Sequence, residues 1–331
     1  MFDASKCDFC GECLARCAYM HFDLKSGAAA FKKLVLKGEA DWIKKCITCF
    51  ACNEFCTRGA RPFDLILEHM EKRGDYVHPK LFAAMVERFS VKDEFKPPQV
   101  KASRVLSVCT IEGNLPRKAD GILFEGMPVV KGRHFFCNVI FPHLGNETRM
   151  REGLKPLVDR YASLGCDEVV LLHDDCYALL AGIAPQYGIE LPFKPVHIFE
   201  FLRDRLKEKR SAIRPLNITV AYQRPCASRL TPWKEPLLDE IFALIGVTRV
   251  HRIYDRENAL CCGQDLKGFA KRGERFPAYQ DENIRDARAS GARAMVFLCP
   301  MCLDALGAKC TEQGLTTFMI TDLCRQALGE Q

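Results

Sequence analysis

The chain has 331 residues, of which 48% are hydrophobic and 27% charged, and its formal net charge is +6. This is ordinary globular composition at a length that suggests two or three domains. No run approaches the roughly 18 apolar residues of a membrane helix, the opening MFDASKCDFCGEC lacks the apolar core of a signal peptide, and no motif for nucleic acid is present, so a cytoplasmic chain without a transmembrane segment is expected. The outlier is cysteine, with 19 residues. A disulfide scaffold needs an oxidising compartment and a small chain, so this many thiols point to metal.

In chain order, CDFCGECLARC places Cys7, Cys10, Cys13 and Cys17 in the pattern C-x2-C-x2-C-x3-C, and CITCFACNEFC repeats it with Cys46, Cys49, Cys52 and Cys56. Three thiols at steps of three wrap one loop around a cluster, and in two-cluster ferredoxins of this pattern the fourth ligates the other cluster. By that rule Cys7, Cys10, Cys13 and Cys56 hold one [4Fe-4S] cubane, and Cys46, Cys49, Cys52 and Cys17 hold a second. Structural zinc more often takes paired C-x2-C units separated by a longer stretch. Ala18 and Thr57 stand where a proline commonly follows the fourth cysteine. After Cys56, RPFDLILEHMEKR and PKLFAAMVERF have apolar residues at helical spacing. This arrangement resembles the helical ferredoxin module of succinate dehydrogenase and heterodisulfide reductase.

The charged, proline-bearing stretch at 92–103 reads as a linker, which makes 1–91 the first domain. Two similar segments follow, at 104–213 and 214–331. Each opens with a short apolar strand, RVLSVC or NITVAY. Each then carries a glycine turn, an amphipathic helix ending at Gly165 or Gly291, and a second strand and turn, VVLLHDDCYALL or MVFLCPMCLDAL. Strands alternating with helices predict an α/β, Rossmann-like lobe in each, related by duplication. In the second lobe Cys226, Cys261, Cys262, Cys299 and Cys302 fall where strands give way to loops, the place where α/β folds build their sites. The basic stretch KGFAKRGERF at 267–276 reads as a solvated loop, or else a dock for an acidic partner.

The spacing C-x34-C-C-G-x35-C-x-x-C resembles the cysteine-rich CCG motif of heterodisulfide reductase. Joined to the two N-terminal motifs, it is similar to the D-type subunit of that enzyme and to the related subunit of class II benzoyl-CoA reductase complexes of anaerobic metabolism. The resemblance implies that Cys226, Cys261, Cys262, Cys299 and Cys302 bind a third [4Fe-4S] cluster, cubane or noncubane. It also implies that the other subunits of a redox complex, a flavoprotein or an iron–sulfur protein, are partners. No G-x-G-x-x-G follows a strand, so neither flavin nor nicotinamide is expected.

The first lobe departs from the family pattern. His143-Leu144 stands at the C-C pair, His173-x-x-Cys176 replaces C-x-x-C, and Cys109 lies near the place of Cys226. Three readings stay open: a Cys109, His143, His173, Cys176 site for zinc or a nitrogen-ligated cluster, a dead site of packed residues, or His173 as a proton donor. Cys137, Cys166, Cys310 and Cys324 sit outside any spacing and are expected to be buried hydrophobes. The weakened first motif favours an electron-transfer subunit. A thiol–disulfide reductase acting at Cys261 and Cys262 is the alternative, and a structural zinc scaffold the third reading.

Overall fold

The computed structural model describes residues 1–264 and 275–330; most of the basic stretch at 267–276 lies outside the described residues. Residues 1–91 form helices α1 (Glu12–Ala15), α2 (Leu24–Lys37), α3 (Ala51–Phe55), α4 (Pro62–Arg73) and α5 (Pro79–Phe89). The side chain of Asp23 caps the N–H of Ser26, whose hydroxyl bonds the Asp23 backbone in return, and this capping box starts α2. Pro62 and Pro79 begin α4 and α5, where a missing N–H is harmless. On α4, Phe63, Ile66, Leu67 and Met70 are buried at the spacing of one helical face. Residues 92–103 contain no helix or strand.

Two four-stranded, all-parallel sheets follow. The first comprises β1 (Arg104–Ser107), β2 (Val129–Val130), β3 (Glu168–Leu171) and β4 (Lys194–His197), in the order β2-β1-β3-β4. The second comprises β5 (Ile218–Gln223), β6 (Val247–Arg249), β7 (Ala294–Phe297) and β8 (Thr316–Met319), in the order β6-β5-β7-β8. The two orders are the same when β1 is matched to β5. The repeat read from the sequence is matched by the strand orders. Both faces of each sheet are covered, as parallel sheets require. In β3, Val169 and Leu171 point into the core shared with the N-terminal helices, while Val170 points into the core between the lobes. In β7, Val296 joins that same inter-lobe core and Met295 and Phe297 fill a third. α6 (Glu147–Ala162) and α9 (Phe276–Ala289) precede β3 and β7, and α10 (Pro300–Glu312) follows β7. α7 (Ile198–Glu208) and α8 (Glu235–Leu244) pack between the sheets, with α11 (Ile320–Ala327) beside them. No described helix is long and apolar enough to cross a membrane.

A buried ionic knot joins the lobes. Asp174, just after β3, is 1% exposed. It accepts hydrogen bonds from His197 Nε2 at 3.0 Å and from Ser228 Oγ at 2.8 Å, and it pairs with Lys234 Nζ at 3.0 Å. Burial alone would raise this carboxyl, but Lys234 and His197 hold it well below the usual range. His197 Nδ1 accepts the Phe199 N–H at 3.1 Å, so its proton sits on Nε2, and burial pushes its pKa down to about 4.

Two outcomes follow from this knot. Asp174→Asn leaves Lys234 buried without its counter-charge and should destabilise the protein by about 3–5 kcal/mol, read from the urea midpoint. The depressed His197 pKa contributes stability that is present above 6.5 and lost as pH falls towards about 4, because only the unfolded chain takes up the proton there. His197→Gln should flatten the stability–pH slope across that window; an unchanged slope would remove His197 as its source.

Candidate metal centres

The two N-terminal cysteine loops share one backbone shape. Phe9 and Gly11 in the first, and Thr48 and Phe50 in the second, occupy equivalent positions and all have positive φ, from 56° to 84°. Three of these four are not glycine, and such strain persists where surrounding groups over-determine it. The shape turns main-chain N–H groups onto sulfur. The Phe9 N–H faces Cys7 and the Glu12 N–H faces Cys10. In the second loop Thr48 donates to Cys46 Sγ at 3.4 Å, and the Ala51 N–H faces Cys49. Successive N–H groups turned inward in this way form an anion-binding nest.

The structure sets Cys56 beside Cys7 and Cys13. It sets Cys17 beside Cys49 and Cys52, and a small cavity is lined by Cys13, Cys17, Cys46, Cys49 and Cys52. Each fourth cysteine thus reaches the opposite loop. Burial pushes the Cys13 and Cys49 thiols up to about 12. These sulfurs become thiolates when a cation compensates, which suits the implied clusters.

In the second lobe the five cysteines gather at the carboxyl ends of β5 and β7, the two strands at which the order reverses. Cys226 opens the turn after β5; Cys299 caps α10, whose first turn carries Cys302. Cys226 Sγ lies 3.3 Å from Cys261 Sγ, Cys261 neighbours Cys262, and Cys262 neighbours Cys302, which in turn neighbours Cys299. A string of this kind suits several metal atoms better than one. Gly263 has φ +77°, and a Cβ there would lie 2.1 Å from Phe276 Cδ1, so only glycine closes this loop without displacing the ring. Its counterpart Gly145 has φ +74° and meets Tyr76 in the same way.

The first lobe differs from the sequence expectation. Cys109, His173 and Cys176 do converge, but the fourth member is Cys137, not His143. Their ligand atoms all lie within 4.8 Å of one another, and all four residues are buried. His173 Nδ1 is 3.5 Å from Cys176 Sγ and 3.8 Å from Cys137 Sγ. A tetrahedral ion with metal–sulfur bonds of about 2.3 Å separates its ligands by roughly 3.8 Å, so one ion fits this set. His173 Nε2 faces Asp175 Oδ2 at 3.4 Å, the carboxylate partner that orients a metal-bound imidazole. Burial would raise the Cys109 thiol, yet hydrogen bonds from Cys137, Cys176 and His173 take it well below the usual range. Cys137 is buried, as expected, and also belongs to this candidate set. Nothing in its spacing could have revealed it, because it comes from the segment before the His143 loop.

His143 turns instead towards the N-terminal helices, where its Nδ1 hydrogen-bonds Thr48 Oγ1 at 3.1 Å and its ring meets Phe50 edge-on. Cys261, at the matching position of the second lobe, also faces those helices: its N–H donates to Tyr19 Oη at 2.8 Å. Glu54 on α3 fastens the contact. Arg224 grips it with two bonds of 2.8 Å and Arg229 with one of 2.9 Å, all three side chains being nearly buried. Arg229 also donates to the carbonyls of Glu257 and Ala259, just ahead of Cys261. Between the lobes lies a cavity of about 370 Å³. Cys226, Cys262, Cys299 and Cys302 line one wall, Cys137 and His173 another, and Leu81, Met85 and Phe89 of α5 form an apolar rim.

Comparison with known proteins agrees with this organisation. Residues 220–307 match the family model described as a cysteine-rich domain, CCG. The chain is 23% identical over 325 residues to the D-type subunit of the dihydromethanophenazine:CoB–CoM heterodisulfide reductase of Methanosarcina barkeri, covering 87% of this chain and 78% of that one. To the same component of the Methanosarcina mazei enzyme it is 22% identical, covering 99% and 95%. It is also 26% identical over 144 residues to the B-type subunit of the fumarate reductase (CoM/CoB) of Methanothermobacter marburgensis, covering 44% of this chain and 28% of that one. Among solved structures, a hypothetical protein from Helicobacter pylori shares the fold with a TM-score of 0.60 at 11% identity, over 91% of this chain and 66% of that one. The cysteine-rich domain and the likeness along nearly the whole chain identify an iron–sulfur protein like the D-type subunit of heterodisulfide reductase.

Proposed function

We propose that this chain is the electron-transfer subunit of a heterodisulfide-reductase-like complex. It carries electrons between two [4Fe-4S] cubanes on the N-terminal helices and an iron–sulfur centre held by Cys226, Cys261, Cys262, Cys299 and Cys302. The observation that carries this reading is the docking of the two cysteine regions: the Cys261 N–H donates to Tyr19, two residues after Cys17, at 2.8 Å, and Glu54, between Cys52 and Cys56, is held by Arg224 and Arg229 on either side of Cys226. Cys7, Cys10, Cys13 and Cys56 form the distal set, and Cys10 is exposed, which suits exchange of electrons with a partner subunit. When bound, the clusters supply one-electron chemistry. The protein holds the sulfurs, turns N–H groups onto them and keeps water away from the crossing.

In the first lobe, we propose that Cys109, Cys137, His173 and Cys176 hold a single structural ion, zinc by ligand type and close spacing. A second reading of the function, direct reduction of a disulfide at Cys261 and Cys262, is favoured by the cavity against Cys262, Cys299 and Cys302. The relay reading is preferred because the facing wall carries the compact first-lobe set rather than a second string of thiols.

Metal analysis of the anaerobically prepared protein should find about twelve irons per chain, for two cubanes and a four-iron centre, together with about one zinc. Zinc alone would overturn the redox reading. Turnover of a disulfide by the isolated chain with an artificial electron donor would replace the relay with the reductase. Cys137→Ser should lower zinc severalfold and leave iron and the iron–sulfur spectrum in place; a parallel loss of iron would instead make the first-lobe set a cluster site.

A further inference from the structure

The outer face of helix α2 is basic, and no described element covers it. Between residues 24 and 45 stand six lysines against two carboxylates, Glu39 and Asp41. Lys25, Ala29, Lys32, Lys33, Leu36 and Lys37 are exposed along the helix, while Gly27, Phe31 and Leu34 are buried on its other side. Lys44 and Lys45, just before Cys46, are exposed as well. Lys33 pairs with Glu39 at 2.7 Å; the other five lysines form no ion pair among the described residues. Two leucines lie among these charges, Leu24 at 57% and Leu36 at 65% exposure.

This face adjoins both N-terminal cysteine loops. The first loop packs on the start of α2, where a Cβ at Gly11 would come within 2.4 Å of the Leu24 carbonyl oxygen and 2.6 Å of the Ala28 nitrogen. The Lys32 ammonium sits 5.8 Å from the ring centroid of Phe9, the residue just ahead of the exposed Cys10. At the far end of the helix, Lys33 and Gly38 help to line a hollow of about 660 Å³, and so does Trp42. Trp42 also lines the small cavity of Cys13, Cys17, Cys46, Cys49 and Cys52, so its indole adjoins both the hollow and the second loop.

We infer that this face docks an acidic, electron-carrying partner subunit: carboxylates of the partner meet Lys25, Lys32, Lys37, Lys44 and Lys45, and its apolar contacts fall on Leu24 and Leu36. This rests on the function proposed above and adds the side of the chain at which electrons enter. One electron leaves the partner's reduced one-electron carrier and one arrives at the distal cubane; no bond is made or broken. Unpaired cations gathered on one side attract carboxylates over a distance, which speeds encounter and fixes orientation. An anionic membrane surface offers the same charge, but a helix seated in one turns its apolar face outward, and the apolar face of α2 is turned inward.

The probe is an acidic plant-type [2Fe-2S] ferredoxin. Its binding to the iron-loaded full chain is measured by calorimetry, and its electron transfer to the cubanes by stopped-flow absorbance, each at about 0.01 M and about 1 M salt, where charges are screened beyond about 30 Å and about 3 Å. Lys25→Glu, Lys32→Glu and Lys37→Glu together are compared with Lys96→Glu, Lys101→Glu and Lys118→Glu together, exposed lysines elsewhere that change net charge equally. The first triple should weaken binding and slow transfer about tenfold or more at low salt, and approach wild type at high salt. Its cubane iron and its reduction by dithionite should be unchanged, and the second triple should follow wild type. No ferredoxin binding by wild type, or equal losses in the two triples, overturns the inference. So does wild-type binding to anionic phospholipid vesicles that the first triple abolishes while ferredoxin binds both alike, which places a membrane on α2 instead. Loss of iron in the first triple makes the lysines structural and overturns it too. A wild-type protein without cubane iron overturns the proposed function, and this inference with it; dithionite-reducible cubanes in a chain whose ferredoxin binding ignores these lysines overturn the inference alone.

Discussion

Glu54 is one carboxylate shared by two buried arginines, and the arrangement of the cysteines depends on it. It sits on α3, between Cys52 and Cys56, while Arg224 and Arg229 flank Cys226. Three charges taken out of water are tolerated only when each is closely paired and hydrogen-bonded. Arg224 meets this with a second carboxylate, Glu235, and Arg229 meets it with two carbonyls ahead of Cys261. The clamp therefore has one low-energy geometry, and in that geometry the second N-terminal loop faces the Cys261 loop. The proposed relay would need closeness of this kind more than it needs any one ligand.

The sheets supply the second constraint. Each lobe brings its ligand-bearing loops to the carboxyl ends of the two adjacent strands where the order reverses, β1 and β3 in one and β5 and β7 in the other. The segments after β3 and β7 keep the same phase: His173 and Cys299 each occupy the N-cap of the following helix, with Cys176 and Cys302 in its first turn. The repeated scaffold thus has the same places with different donors in its two lobes.

How much of this was legible in the sequence depended on whether the signal ran along one segment. The strands were readable because short apolar runs bounded by glycine are buried on both faces. The N-terminal loops and the CCG spacing were readable because their ligands recur at fixed local intervals. Cys137 was not, because its partnership with His173 is set by how two separate loops meet above the sheet. His143 was matched to the right position, opposite Cys261, but position does not fix direction. The loop at Gly145 presents it to Thr48, and the close quartet is completed from elsewhere. The arginine clamp was invisible for the same reason, since Glu54 and Arg224 are 170 residues apart.

Cys109 carries a consequence for how the first lobe reaches its final form. Its φ of +52° lies in the left-handed region, which a residue with a side chain occupies at a cost of roughly 1–3 kcal/mol unless its surroundings enforce it. Its second-lobe counterpart, Cys226, has no such backbone. The ion proposed for this quartet would offset that cost, since binding free energy at such a site is folding free energy; the order of the first lobe, and of the wall it presents to the cavity between the lobes, would then follow metal binding.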